Sequence, residues 1–583
     1  MKINYFAADN FRCLHGGIEK NKLEFKDTNT LFIFGQNNVG KSTFLKAYEF
    51  FYYESTPNND DFYKKNDDYP MTFELEVQLD ELDNLRIEDA APKAKESYKK
   101  YLIDGNVLRL KAIYEKNEKS KIAKQNYTWN PVENGWEPIS YASIGLHRVF
   151  QSCMPKPIFI KAMPSEDEVK SILNEILRSL AEKRLKDSEL AELQAAKKKI
   201  AELQEKMYKS DTIEKYEESI NDYYSSLFPD TSISIKDRKS KIAWTENKLG
   251  RDYDIEFNKI DENGEIDENI PVSVSSIGHG AIRTAIFTLL LMRDIAEEFE
   301  RKLGRKDYIV LFEEPELFLY PKIIYQLRDL IYQVSQEDLP YQLLCASHSP
   351  QMIDLSQAKS SVIRMVKDEN DITNLYQIND KFLKEAKDIQ SNAELKQVMY
   401  EILRFNPYIC ESFYSNEVIL IEGPTEEIII RAYLQEISTA KHIFVLNCGS
   451  VTNIPFYQKI FSKFSIKYNI ICDTDDTKIV DHDENRNPVF ETNIQGSISK
   501  QFILDKTKQE PNQGIFRVHD TTFEPAHQST LIPKHLLFEE KSNYGKPYNA
   551  NLYWQDVLKP NINDAGISQV PIIRYIKEIV ESV

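Results

Sequence analysis

The sequence lacks most of what would place a chain in an oxidising, membranous or zinc-bound setting. Its 583 residues hold six cysteines, Cys13, Cys153, Cys345, Cys410, Cys448 and Cys472, and no pair has CxxC spacing. A disulfide framework and a cysteine zinc site are excluded, which predicts free thiols in a reducing cytoplasm. The longest apolar run in a helical stretch, Ala285 to Met292, is broken by Thr288 and is far short of a membrane span. The opening MKINYFAADNFRC has no apolar signal-peptide core. Positive charge is in deficit, with a formal net charge of −18. That argues against a protein coated in nucleic acid by bulk attraction. It leaves room for a local basic channel, because phosphate contacts depend on nearby Lys and Arg. An acidic chain also suits one that spends carboxylates on metal. Hydrophobic content of 41% supports packed cores, and the length predicts about two to four domains.

Local patterning divides the chain. INYFAADNF and TNTLFIFG read as strands, and GKSTFLKAYEFFYYE reads as a helix. A polar loop over residues 54–70 precedes two alternating strands, MTFELEVQL and VLRLKAIYE. From about Ser165 to Ser226 the composition turns rich in Glu, Lys, Leu and Ala, with Leu190, Leu193, Ile200 and Leu203 at helical spacing. This predicts long amphipathic helices. They suit a hairpin within one subunit and a dimerisation arm equally well. Strands SISIKD and YDIEFNKI follow, then a helix from Gly280, two buried strands, the hairpin SSVIRMVKDENDITNLYQI and a helical linker. A new strand–helix alternation starts at Glu417.

GQNNVGKST fits G-x4-G-K-[ST], follows the apolar strand LFIF and opens a helix. Gly35, Asn38 and Gly40 form a loop whose backbone N–H groups can wrap phosphate at a helix N-terminus. Lys41 would reach the β- and γ-phosphates of ATP, and Ser42, beside Thr43, a magnesium ion. Downstream, YIVLF ends in Glu313, Glu314, Pro315 and Glu316. Glu313 is assigned to the metal and Glu314 to the base that activates water. CASHSP places His348 at the end of the next strand, where it can sense the γ-phosphate. SSIGHGAIRTAIF offers a second phosphate cradle at Ser276, Gly278 and Gly280.

EVILIEGPTEEIIIRAYL reads as a strand, a tight turn and a helix, with Glu422 at the strand tip and Glu426 in the first helical turn, where an anion is favoured. HIFVLNCGS is a second strand, and NIICDTDD ends a third in Asp473, Asp475 and Asp476. This alternation predicts a parallel sheet with right-handed crossovers. Its acids gather at the carboxyl edge, where open α/β sheets bind ligands. An oxygen-only set without His or Cys selects Mg²⁺, Mn²⁺ or Ca²⁺ over zinc. Two such ions could align water for attack on phosphate. Asp473 and Asp475 alternate along the strand and are read as ligands, with Asp476 behind them.

The first four motifs, in this order and with NFR at Asn10 to Arg12, resemble the ABC-type ATPases of the SMC and RecF group. In that group the Ser-Gly signature of one subunit completes the ATP site of another, so the resemblance implies paired heads. Glu313 departs from it, since Asp is usual there. Glu-Gly at one strand tip and Asp-x-Asp two strands later resemble the Toprim domain. The joined pair resembles the OLD (overcoming lysogenization defect) family over nearly the whole chain.

The resemblance implies an α/β chain of four segments. An ABC-type P-loop ATPase head spans 1–164 and 227–400, with an inserted helical dimerisation arm at 165–226. A C-terminal Toprim α/β domain with a parallel central sheet spans 401–583. It implies a homodimer or higher homo-oligomer that cuts DNA in anti-phage defence, as in Gabija-type or retron systems. Its partners there would be a helicase-like protein, or a reverse transcriptase with its small DNA. It adds a late acid, Glu524 in TTFEPAH, and an active-site lysine, Lys546 in SNYGKPYNA, with Lys541 as competitor. Its cofactors would be ATP with one Mg²⁺, and two Mg²⁺ or Mn²⁺ ions in the Toprim site. Two other readings are an SMC/RecF-like DNA-binding clamp with an inactive Toprim domain, and a topoisomerase-like strand passer. Either direction of control by ATP, closing a dimer on DNA or restraining the nuclease, fits the sequence.

Overall fold

The computed structural model describes residues 1–25, 28–90, 98–117, 121–139, 154–163, 168, 217–218, 220–222, 224, 231–237, 253–260, 266–272, 279–291, 307–336, 341–357, 360–388, 391–405, 408–437, 442–474, 477–482, 488–492, 512–519, 522–527 and 545–582. The chain divides into two compact units, residues 1–354 with 359–375, and residues 355–358 with 376–583.

The first unit is built on two six-stranded sheets. One is antiparallel, in the order Lys22–Glu24, Lys2–Asp9, Met71–Gln78, Val107–Lys116, Ile122–Asn130, Gly135–Pro138. Val107–Lys116 shows why: Leu108, Leu110, Ala112 and Tyr114 point inward at every second position while their neighbours stay half-exposed. The other runs Thr373–Asn379, Ser360–Lys367, Thr30–Phe34, Tyr341–Ala346, Tyr308–Glu313, Lys156–Ile160. Its five strands from Ser360–Lys367 onward are parallel. Thr30–Phe34 lies inside it with all five residues buried, which is why this stretch is a continuous apolar run. The helix Lys41–Tyr52 contacts both sheets and buries Phe44, Leu45, Tyr48, Phe50 and Phe51. Phe6 of the antiparallel sheet meets Phe44 edge-on with ring centres 5.8 Å apart.

In the second unit a parallel sheet runs Ile443–Asn447, Glu417–Ile421, Lys467–Asp473, Gln513–His519. The carboxyl ends of its strands therefore share one edge. Helices Pro424–Glu436 and Pro571–Glu581 close its core with Ile429, Ile430, Ile572, Ile573 and Ile576. The helix Asp380–Lys387, upstream of the boundary expected at 401, groups with this unit. Lys387 sits 4.7 Å over the Phe456 ring, and Lys459 Nζ donates to Ala386 O at 3.1 Å, so this helix is tied to Ile454–Lys463.

The arm expected at 165–226 falls almost wholly outside the described residues. Cys13, Cys345, Cys410, Cys448 and Cys472 are free thiols, and Cys153 lies outside the described residues. Among the described residues no helix is long and apolar enough to cross a membrane.

Candidate functional site

The strand Thr30–Phe34 delivers Gly35 to the start of the phosphate-binding loop. Gly35 has φ +148°, and a Cβ there would stand 2.2 Å from Met365 O, so no larger residue fits. Asn38 is left-handed, and Gly40 precedes the helix whose first turn carries Lys41, Ser42 and Thr43. Lys41 is buried, and its ammonium donates to Gly35 O and Gln36 O, each at 2.8 Å. Burial pulls its pKa down to about 8, with Glu314 and Glu316 working against that fall. A buried cation whose described hydrogen bonds go to two neutral carbonyls suits an incoming phosphate.

The parallel register brings the acid strand alongside. Glu313 ends Tyr308–Glu313, and its carboxylate accepts from Ala162 N at 3.3 Å. Glu314 is left-handed, with φ +44°, and its N–H donates to Ala346 O at 2.7 Å. Its carboxylate is 3.5 Å from His348 Nε2. Burial, then the Lys41 charge, pulls the His348 pKa down to about 4. Glu314 and His348 thus meet beside Lys41, as their strand-end positions imply.

Glu316 and Arg283 received no role from the sequence. Glu316 Oε1 accepts from Ser347 Oγ at 3.0 Å and His348 N at 2.7 Å, fixing the loop that carries His348. Burial pushes the Glu316 pKa up. Arg283, in helix His279–Leu291, is fully buried and donates through Nη2 to Glu313 O and to Glu314 O, the latter at 2.5 Å. Burial lowers its pKa to about 10, and Glu316, Glu314 and Glu313 oppose that. The third acid of EEPE and the Arg three residues past Gly280 were the available signals. Of the second cradle, Gly280 packs against Phe318 and Leu319 of its own chain, while Ser276 and Gly278 lie outside the described residues.

The second unit gathers a separate set. Glu422 follows the strand Glu417–Ile421, and Gly423 and Pro424 open the helix whose first turn buries Glu426. Asp473 ends Lys467–Asp473, in register with His519 at the end of Gln513–His519. Asp473 Oδ1 lies 3.0 Å from His519 Nδ1, and Oδ2 accepts from Phe523 N at 3.1 Å. Glu524 is buried in the short helix Phe523–Ala526, and Lys546 Nζ lies 3.3 Å from its Oε1.

These groups feel one another. Burial raises the Glu426 pKa well above the carboxylate range, and Asp473, Glu422 and Glu524 add to it. Burial and then Glu524 raise Asp473. Burial works to lower Lys546, but Glu524, Asp473 and Glu426 outweigh it, so its pKa lies above the ordinary value. Carboxylates that hold each other's protons on are a donor set that fits a divalent cation. Glu426, Asp473 and His519 each place one ligand atom within 4.8 Å of the others. Glu422, Glu426, Asp473, Glu524 and Lys546 are therefore neighbours at this edge.

His519, a nitrogen donor that the sequence reading did not name, stands beside the expected oxygen donors Glu426 and Asp473. The described strand runs Lys467–Asp473, and the expectations for Asp475, Asp476 and Lys541 lie outside the described residues.

Comparison with known proteins agrees with both halves. Residues 1–353 match the AAA ATPase domain family, and residues 413–475 match the TOPRIM domain of Overcoming lysogenization defect protein-like chains. The chain belongs to the AAA ATPase domain family and carries an OLD-like TOPRIM segment. Old nuclease of Escherichia phage P2 is 22% identical over 461 residues, covering 76% of this chain and 72% of that protein. OLD nuclease of Thermus scotoductus is 23% identical over 219 residues, 37% of this chain and 38% of that one. Endonuclease GajA of Bacillus cereus is 20% identical over 260 residues, 42% of this chain and 37% of that one. His519, Glu524 and Lys546 lie beyond the matched TOPRIM segment, and only the fold returns them to Asp473.

Proposed function

We propose that this chain is an ATP-hydrolysing, divalent-metal-dependent DNA endonuclease whose ATPase domain governs cutting by the Toprim site. The convergence of Glu422, Glu426, Asp473, Glu524 and Lys546 at one sheet edge carries this reading. The nuclease names of its relatives support it. A homodimer or larger homo-oligomer, a role in defence against phage, and a helicase-like or reverse-transcriptase partner extend it on family resemblance.

Glu422, Glu426, Asp473 and Glu524, with Asp475, are the residues to hold two Mg²⁺ or Mn²⁺ ions. Ser42 and Glu313 are those to hold a third with ATP. Such ions, when bound, supply Lewis acidity at the scissile phosphate and at water. The chain's own groups do the rest. Phe523 N–H fixes the direction of the Asp473 carboxylate. Lys546, held by Glu524, offsets negative charge on the attacked phosphate. In the ATPase half, Lys41 and the helix N-terminus bind phosphates. Glu314 is the base for the hydrolytic water. His348, neutral at pH 7, stands beside it to meet the γ-phosphate.

Purified protein with Mg²⁺ or Mn²⁺ should nick or cut DNA. Glu426→Gln and Asp473→Asn should each slow cutting on the order of a hundredfold or more. Wild-type cutting by both variants sinks the site.

A further inference from the structure

Among the described residues, His519 is the nitrogen donor that stands with the carboxylates of Glu426 and Asp473. It ends the strand beside Asp473 and is fully buried. Three rings hold its imidazole in one orientation: Phe523 at 5.2 Å and 86°, His527 at 5.2 Å and 63°, and Tyr575 at 5.6 Å and 31°.

His527 is not a competing donor. Its Nδ1 donates to Phe523 O at 2.6 Å, and its Nε2 accepts from Ile572 N at 3.2 Å, so the backbone uses both nitrogens. His519 Nδ1 instead faces Asp473 Oδ1 at 3.0 Å. Two donors about 2.1 Å from a shared octahedral ion stand roughly 3.0 Å apart when adjacent. One Glu426 oxygen completes the trio, all within 4.8 Å.

We infer that His519 Nδ1 is a metal ligand in the Toprim site, making it a mixed nitrogen–oxygen centre that takes Mn²⁺ and later first-row divalent ions in preference to Mg²⁺ or Ca²⁺. Imidazole suits transition ions, whereas an all-oxygen set favours the hard alkaline-earth ions. The inference rests on the reading of this edge as a divalent-metal site and adds the donor that sets which ion it holds.

The test uses the full-length protein, free of nucleotide, loaded with Mn²⁺ and measured by pulsed electron paramagnetic resonance. Imidazole-nitrogen modulation is expected in the wild type and should vanish in His519→Asn while Mn²⁺ stays bound. By calorimetry, wild-type preference for Mn²⁺ over Mg²⁺ should be about tenfold or more and should shrink to a few-fold in the variant. If His519→Asn melts early, His519→Gln gives the same comparison. Mn²⁺ bound without nitrogen modulation, yet lost in Asp473→Asn, overturns the ligand role and leaves the nuclease reading standing. Mn²⁺ binding indifferent to Asp473→Asn overturns the metal site itself, and the inference with it.

Discussion

At the scale of single residues, the nucleotide site depends on who is charged. His348 lies 3.5 Å from Glu314, a pairing that on distance alone suggests an imidazolium–carboxylate ion pair. Burial and the Lys41 ammonium decide otherwise, pulling the imidazole down to about 4 from its ordinary 6.5. His348 is therefore a neutral hydrogen-bonding group at pH 7. The consequence for stability has a definite sign. Between pH 6.5 and 4 the unfolded chain binds a proton that the folded site refuses. The contribution tied to His348 is complete above 6.5 and is lost as pH falls towards 4. Carbon-13 histidine NMR should show His348 untitrated at pH 5, and His348→Gln should flatten the acid limb of the stability curve. A His348 midpoint near 6.5 would refute this account. The motif spacing put His348 next to Glu314. Its charge state was illegible, because burial depends on packing that no local window contains.

At the scale of elements, the helix His279–Leu291 is pinned rather than laid against its neighbours. Arg283 reaches the carbonyls of Glu313 and Glu314, and Gly280 lets the helix start close against Phe318 and Leu319. A Cβ on Gly280 would stand 2.6 Å from Leu319 Cδ2 and 3.0 Å from Phe318 O. The leucine tip can move, but the carbonyl belongs to the backbone next to the catalytic strand. Gly280→Ala should cost about 1–3 kcal/mol, seen as a lower thermal midpoint, with ATP hydrolysis falling as Glu313 and Glu314 are displaced. An unchanged midpoint and turnover would mean that the Phe318 segment yields freely. Apolar runs announced the strands Thr30–Phe34, Tyr308–Glu313, Glu417–Ile421 and Lys467–Asp473, because each is buried on both faces. Gln513–His519 was not announced. It is an edge strand of the sheet, and six of its seven residues are half-buried, so no apolar run marks it. His519 went unread for that reason.

At the scale of the whole molecule, the described side chains of each candidate site fall within one compact unit. Lys41, Glu313, Glu314 and His348 belong to the first, and Glu422, Glu426, Asp473, His519, Glu524 and Lys546 to the second. This separation was legible, since the P-loop and the strand-tip acids are independent motifs more than 350 residues apart along the chain. What passes between them was not, because communication depends on arrangements that no single motif encodes. Separate sites make separate losses the expected result. Asp473→Asn should abolish DNA cutting while ATP hydrolysis continues, and Lys41→Ala should abolish hydrolysis while Mn²⁺ still binds at the Toprim edge. Control by ATP then becomes a measurable difference. Cutting by the wild type should change with ATP concentration, upward if nucleotide assembles the active form and downward if it restrains it. Cutting by Lys41→Ala should be flat over the same range, because without the buried ammonium the loop loses its charge partner for the phosphates. A Lys41→Ala curve that tracks the wild type would place the nucleotide response outside this P-loop and remove the ATPase domain from control of the nuclease.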